Sequence, residues 1–170
     1  MQTKFPARRF AAVSALTAFA LVISWLERPL MTALPLPLPG FKLGLANIVT
    51  LFTLYRLGAA DAGAVHLLRI SLAGLLFGSP VSFLLSACGG ALAFAAACGV
   101  YRVRRVSPVG ASILSAAAHM VGQIAAAALL LAAPLLFVSY LPYLLLLSLF
   151  SGGLCGAAVV FLLKRLPKKI

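Results

Sequence analysis

A few polar side chains within otherwise apolar stretches could carry chemistry in this sequence. Arg69 lies in the apolar stretch 62–77, and His66, three residues earlier, shares its face of a helix. A charge this far inside an apolar segment is energetically expensive and by default indicates a functional site. Arg69 could pair with an acidic residue, bind carbonyl groups at a helix end, or face an anionic ligand. We favour a ligand-facing position.

Other polar residues in comparable positions are also candidates. An unpaired amide such as that of Asn47 is costly in hydrocarbon, so it must bond another helix or a substrate. His119 and Gln123 are four residues apart on an alanine-rich surface, which fits hydrogen bonding between helices or the lining of a pocket. Lys42 lies at the end of an apolar stretch, where lysines usually act as anchors. The candidate substrate-binding residues are Lys42, Asn47, Arg69, His119 and Gln123.

The sequence has too few ligating side chains to suggest a metal centre. Glu27 and Asp61 are its only acidic residues, and the two histidines and three cysteines form no motif with metal-ligand spacing. We interpret the three cysteines as reduced packing residues. The glycine loop that binds ATP phosphates is also missing. We therefore expect neither a metal nor a cofactor.

The composition indicates that lipid surrounds most of the chain. Hydrophobic residues make up 64% and charged residues 9% of the 170 residues, whereas soluble domains carry about 25% charged residues. The mean hydropathy is +1.14. A basic segment before the first apolar stretch is also typical of a signal peptide, but the five apolar stretches that follow favour an uncleaved helix. We predict an all-α polytopic membrane protein, a single integral membrane domain over 1–170 with six transmembrane helices at about 10–26, 41–57, 62–77, 81–101, 108–133 and 140–163.

The net charge of +12 fits membrane topology better than nucleic-acid binding. The basic residues form short runs between the apolar stretches, as in proteins that retain Lys and Arg on the cytoplasmic side. Placing the N-terminus inside leaves eleven basic residues on the cytoplasmic side and two, Arg28 and Lys42, outside. We therefore predict a multi-pass protein of the bacterial cytoplasmic membrane with both termini in the cytoplasm and no nucleic-acid partner.

Two sequence patterns suggest how neighbouring parts of the structure are used. Alternating prolines make the segment after the first helix, which we place at 27–40, stiff. It could be a lid over a pocket or a rigid connector. Small residues four apart let helix backbones approach closely within the bundle, and one such pair could instead dock a partner. The lid residues are Pro35, Pro37, Pro39 and Gly40; the small pairs are Ala11/Ala15, Gly74/Gly78 and Gly152/Gly156.

The segment 34–51, LPLPLPGFKLGLANIVTL, resembles the hallmark of the Gx transporter family, also catalogued as heptaprenyl diphosphate synthase component I. Shorter matches occur at 67–69, 76–79, 89–90 and 119–123. Met120 departs from the family pattern, in which Asn is expected. The matches span the second to the fifth predicted helix, so the resemblance covers essentially the whole chain.

That family is similar to the S components of energy-coupling factor transporters. These six-helix proteins capture vitamins or similar nutrients on the outer side and pair with a transmembrane coupling subunit and two ATPases. The resemblance implies an S-component-like bundle in which the proline segment covers an outer site and Ala11 and Ala15 dock the coupling subunit. It also implies uptake of a small anionic or amphipathic molecule that is vitamin-like or related to flavins or prenyl compounds.

The synthase description suggests an enzyme, but the residues argue against catalysis. Prenyl diphosphate elongation needs aspartate-rich motifs that hold Mg²⁺, and this chain has one Asp and one Glu. The alternative function is that of a non-catalytic accessory protein for prenyl diphosphate or quinone synthesis, or for quinone-linked electron transfer.

Overall fold

The computed structural model describes residues 7–33, 43–103 and 105–166, and the regular elements in these ranges are all α-helices. Five of them are long and apolar enough to cross a membrane: α1, α3, α4, α5 and α7. An all-α, multi-pass membrane fold is thereby confirmed. The helices are α1 (Ala7–Ala33), α2 (Ala46–Arg56), α3 (Ala59–Phe77), α4 (Pro80–Arg102), α5 (Pro108–Leu130), α6 (Leu135–Ser139) and α7 (Leu141–Arg165).

The predicted count of six spanning helices is not confirmed, because α2 is short. The prediction placed a helix over 41–57, whereas α2 begins at Ala46 and has 11 residues. At 1.5 Å per residue it covers about 16 Å, roughly half of a 30 Å hydrocarbon core. Gly44, just before α2, has a φ of 71°, a left-handed conformation that glycine adopts readily. This turn delays the start of the helix.

The first helix is longer than the sequence indicated. We expected it to end at Leu26 and a loop to begin at Glu27, but α1 continues to Ala33 with Pro29 inside it. That expectation was wrong because a proline removes only one helical hydrogen bond, and side chains anchor this part of α1 to its neighbours. The Gly44 N–H donates to Glu27 Oε1 at 2.6 Å, and Arg28 donates to the Phe77 carbonyl.

Helix α5 runs antiparallel to α4 and α7, whereas α1 and α3 run parallel, and specific polar contacts mark the two ends of the bundle. At the first end, Arg9 of α1 forms an ion pair with Asp61 of α3 at 2.7 Å. Arg56 of α2 donates to the Leu163 carbonyl near the end of α7 at the same end. We call this the basic end. The contacts of Glu27 and Arg28 lie at the opposite end.

Helix α5 packs closely between α4 and α7 because glycines face it from both sides. A Cβ atom at Gly152 would lie 2.7 Å from Ile113 Cα, and one at Gly156 would lie 2.6 Å from Val109 Cα. On the other side, a Cβ atom at Gly89 would lie 2.8 Å from the His119 carbonyl oxygen. The Gly152/Gly156 pair thus packs inside the bundle, as small residues in membrane helices commonly do.

Helix α1 is the least buried of the five candidate spans. It packs against α2 and α3 around a cluster of Ala20, Val49 and Val65. Ala11 and Ala15 face away from this cluster and are exposed, together with large apolar side chains such as Phe19. Exposed apolar side chains of this kind are expected where lipid contacts a helix.

Candidate functional site

A cavity of about 600 Å³ lies between α1, α2, α3, α4, α5 and α7, towards the end opposite the basic end. Its volume falls within the usual range of small-molecule sites. The lining combines apolar side chains such as Ile70 and Phe83 with charged, amide, imidazole and hydroxyl groups. The cavity can therefore hold a small amphipathic molecule.

Three of the five candidate residues line this cavity: Asn47 from α2, Arg69 from α3 and His119 from α5. Gln123 is buried in α5 but is not among the lining residues. Lys42 and the proposed lid, Pro35, Pro37, Pro39 and Gly40, lie outside the described residues. The bundle thus brings together residues that are far apart in the sequence.

Arg69 lines the cavity from within a candidate membrane span. No acceptor in the described residues takes a hydrogen bond from this guanidinium, and the buried Nε lacks a partner there. The nearby Glu27 carboxylate attracts it electrostatically. Asp61, the other acid considered as its partner, is instead paired with Arg9 at the basic end. Arg69 therefore lines the cavity and does not pair with Asp61; that it faces a ligand stays a prediction.

Glu27 and Arg28 of α1 also line the cavity, although we had not included them in the site. Glu27 is buried and accepts from the Gly44 N–H, whereas Arg28 is exposed and contacts Phe77 through the carbonyl group and the ring face. These contacts fasten one wall of the cavity to α2 and α3. The sequence contained one indication of a role for Glu27, since it is the only acidic residue expected near that end of the predicted helix bundle.

His66 lines the cavity one helical turn from Arg69. Its Nε2 lies 3.0 Å from the Gly90 carbonyl oxygen, and its ring stacks on Phe94 with 5.3 Å between centroids. Because a carbonyl can only accept, the proton resides on Nε2, and Nδ1 of the neutral ring is an acceptor. Nδ1 has no partner among the described residues. A Cβ atom at position 90 would lie 2.9 Å from Nε2, so this contact depends on glycine.

Asn47 belongs to a chain of hydrogen bonds that fixes its orientation. Its Nδ2 donates to Ser115 Oγ at 3.3 Å, and Ser115 Oγ donates to the Ala93 carbonyl at 3.0 Å. Since the single hydroxyl proton of Ser115 is used, Ser115 must accept from an N–H group of Asn47. Asn47 Oδ1 is left without a donor among the described residues.

Serine hydroxyls supply much of the remaining polarity. Ser112 is fully buried, and its Oγ has no hydrogen-bond partner within the described part of the chain. Sequence reasoning missed these serines because serine is also common where membrane helices pack, so no spacing marks them as a site. The lining serines are Ser24, Ser79, Ser82, Ser86, Ser112, Ser115 and Ser151. The described residues contain no cluster of three or more His, Cys, Asp or Glu side chains suited to a metal.

Comparison with known protein families shows to which family the chain belongs. Residues 16–162 match the family described as heptaprenyl diphosphate synthase component I, and the chain belongs to that family. The family resemblance inferred from residues 34–51 is thereby confirmed. No curated protein and no solved structure matches the chain.

Proposed function

We propose that this family member binds a small anionic or amphipathic molecule in the cavity and acts as the substrate-binding component of an energy-coupling-factor-type transporter. The observation that carries the proposal is the position of Arg69. It is a cation in an apolar helix that lines a 600 Å³ cavity and donates no hydrogen bond to the described residues. A charge kept in such a place requires compensation, and an anionic group on a ligand would supply it.

The lid role of the proline segment gains support from the residues that flank it. Met31 near the end of α1 and Leu43 before α2 both line the cavity. The segment between them joins two walls of the site. We propose that residues 34–40 cover the cavity on the outer side of the bacterial cytoplasmic membrane, with both termini in the cytoplasm, as the distribution of basic residues indicates.

Energy for uptake would have to come from a partner, because the sequence has no glycine loop that binds ATP phosphates. We propose that a transmembrane coupling subunit with ATPases docks on α1. Ala11 and Ala15 are exposed near the basic end of this helix, which packs only against α2 and α3 among the described helices. Small side chains at this position would allow a partner helix to approach closely.

We also propose that the chain is not itself an enzyme. Its two acidic residues lie at opposite ends of the bundle, since Asp61 contacts Arg9 and Glu27 lies 18 positions further along α1. At 1.5 Å per residue that separation is about 27 Å. The two carboxylates cannot share one Mg²⁺ ion, whose oxygen ligands lie about 2.1 Å from the metal.

The family description supports a second candidate function. A component I implies a second component, and this protein would then be the membrane partner of a soluble prenyl diphosphate synthase. The cavity would in that case hold a prenyl compound for the partner, without catalysis by this chain.

Purification of the tagged, full-length protein from membranes of its own host separates the two functions. Recovery of a transmembrane subunit together with ATPases, identified by mass spectrometry, is the result expected for transport. Recovery of a soluble prenyl diphosphate synthase without ATPases would contradict the transport proposal and support the second function. An unrelated six-helix membrane protein with the same tag controls for non-specific capture.

A further inference from the structure

We propose that the cavity selects organic anions that also carry O–H or N–H groups, and that it discriminates against prenyl diphosphates and fatty acids. This inference rests on the proposed function, because it names the class of substrate that the same cavity would bind. The evidence is the hydrogen bonding of three lining residues, Arg69, Asn47 and His66. Some of their polar atoms are bonded within the protein, and others have no partner among the described residues.

Arg69 supplies the part of the site that requires an anion. Its guanidinium group can only donate hydrogen bonds, and the described residues offer it no acceptor. The Glu27 carboxylate, which also accepts from the Gly44 N–H, balances part of its charge. A carboxylate or phosphate on the ligand fits the geometry of a guanidinium better than a neutral acceptor does.

Asn47 supplies the part that requires a donor, and the neighbouring His66 has its proton fixed in a similar way. The bond to Ser115 fixes Asn47 with Nδ2 engaged, so its Oδ1 is the group left for a ligand. The bond to Gly90 fixes the His66 proton on Nε2, so Nδ1 is an acceptor, although this atom is itself buried in the wall of the cavity. In both cases a backbone carbonyl, that of Ala93 or that of Gly90, accepts the last hydrogen bond. This fixes where the protons lie, so Asn47 Oδ1 and His66 Nδ1 are acceptors.

A prenyl diphosphate cannot satisfy this arrangement. Its ionised diphosphate has acceptor oxygens for Arg69, but its hydrocarbon part carries neither an O–H nor an N–H group. Binding it would leave Asn47 Oδ1 facing hydrocarbon, and a polar group that loses water without gaining a partner weakens binding. Sites that are built to hydrogen-bond a substrate reject analogues lacking the bonding group most strongly.

Six probes test this rule on the purified, full-length protein by thermal shift and calorimetric titration. Pantothenate and flavin mononucleotide carry both an anion and donors, one as a carboxylate and the other as a phosphate. Pantothenol and riboflavin are their neutral counterparts. Octanoate and geranyl diphosphate are anions without such donors. We expect at least one of the first two to bind at least tenfold more tightly than its neutral counterpart and than either anion without donors.

Three variants test which residues produce these binding preferences. Arg69→Ala should remove the preference for the anion over its neutral counterpart, whereas Asn47→Leu should remove the preference for the donor-bearing anion over geranyl diphosphate. Arg102→Ala, at an exposed arginine at the end of α4 that does not line the cavity, should change neither preference.

The outcomes separate the inference from the function on which it rests. If octanoate or geranyl diphosphate binds as tightly as the donor-bearing anions, and Arg69→Ala abolishes that binding, the selection rule is wrong and the binding function stands. If none of the six probes binds, the selection rule is contradicted, and the binding function is decided separately by whether the purified wild-type protein releases a bound small molecule in mass spectrometry.

Discussion

Arg9 of α1 and Asp61 of α3 form an ion pair with 2.7 Å between Nε and Oδ2. The Asp61 side chain is 7% exposed and that of Arg9 is 42% exposed. The pair ties the first two long helices together at the basic end. The only other acidic residue of the sequence, Glu27, lies near Arg69.

This ion pair should contribute to stability through both partners. Arg9→Ala leaves a buried carboxylate without its partner, and Asp61→Ala removes the same interaction, so each variant should lower the Tm of the detergent-purified protein. We expect a coupling energy of about 1 to 2 kcal/mol, between the values for exposed and buried pairs. Arg8→Ala, at the exposed neighbouring arginine, combined with Asp61→Ala is the control. Additive effects of Arg9→Ala and Asp61→Ala would contradict the pairing.

Two adjacent glycines in α7 should differ in their response to the same substitution. Gly152→Ala would place its Cβ atom 2.7 Å from Ile113 Cα and force α5 and α7 apart. We expect a loss of about 1 to 3 kcal/mol, as for other overpacked positions. Gly153→Ala meets no atom within 4 Å and should leave the Tm unchanged or slightly higher. Equal losses in the two variants would show that α5 and α7 do not pack as described.

The distribution of basic residues predicts the orientation of the bundle. In a background with Cys88, Cys98 and Cys155 replaced by alanine, single cysteines would be introduced at Arg105, between α4 and α5, and at Leu131, after α5. Both positions are exposed. In intact cells an impermeant thiol reagent should label position 131 and not position 105, since Lys and Arg are retained on the cytoplasmic side. The reverse labelling pattern would overturn the predicted topology.

The exposed alanines of α1 should be required for docking of the coupling subunit. Ala11→Leu combined with Ala15→Leu should reduce copurification of that subunit at least tenfold, because the added side chains prevent close helix approach. Ala91→Leu with Ala95→Leu is a matched control, since these exposed alanines are also four residues apart but lie on α4. Undiminished copurification with the α1 variant would remove this surface from the docking proposal.

The sequence predicted the fold class and most of the long helices because apolar segments of sufficient length have few alternatives in lipid. The clearest error was at Pro29, where a residue that commonly ends helices lies inside α1. The anchoring contacts of Glu27 and Arg28 explain why the helix continues. They join residues far apart in the sequence, so no local pattern could reveal them.

The candidate site was predictable only for residues that are conspicuous in a membrane helix. Arg69, Asn47 and His119 were identified because each is costly in hydrocarbon. Gln123 met the same criterion, yet it does not line the cavity, because helix periodicity does not distinguish a pocket from an interhelical contact. The role of Ser112 depends on which helices surround α5, and that information is tertiary.

We propose above all that the cavity binds a small anion through Arg69. The most direct test is mass spectrometry of small molecules released from the detergent-purified wild-type protein, Arg69→Ala and the control Arg102→Ala, after all three have been shown to elute as folded, monodisperse species. We predict that the wild type and Arg102→Ala release the same organic anion and that its yield falls at least tenfold in Arg69→Ala. An equal yield from Arg69→Ala, or no bound molecule in the wild type, would contradict the claim.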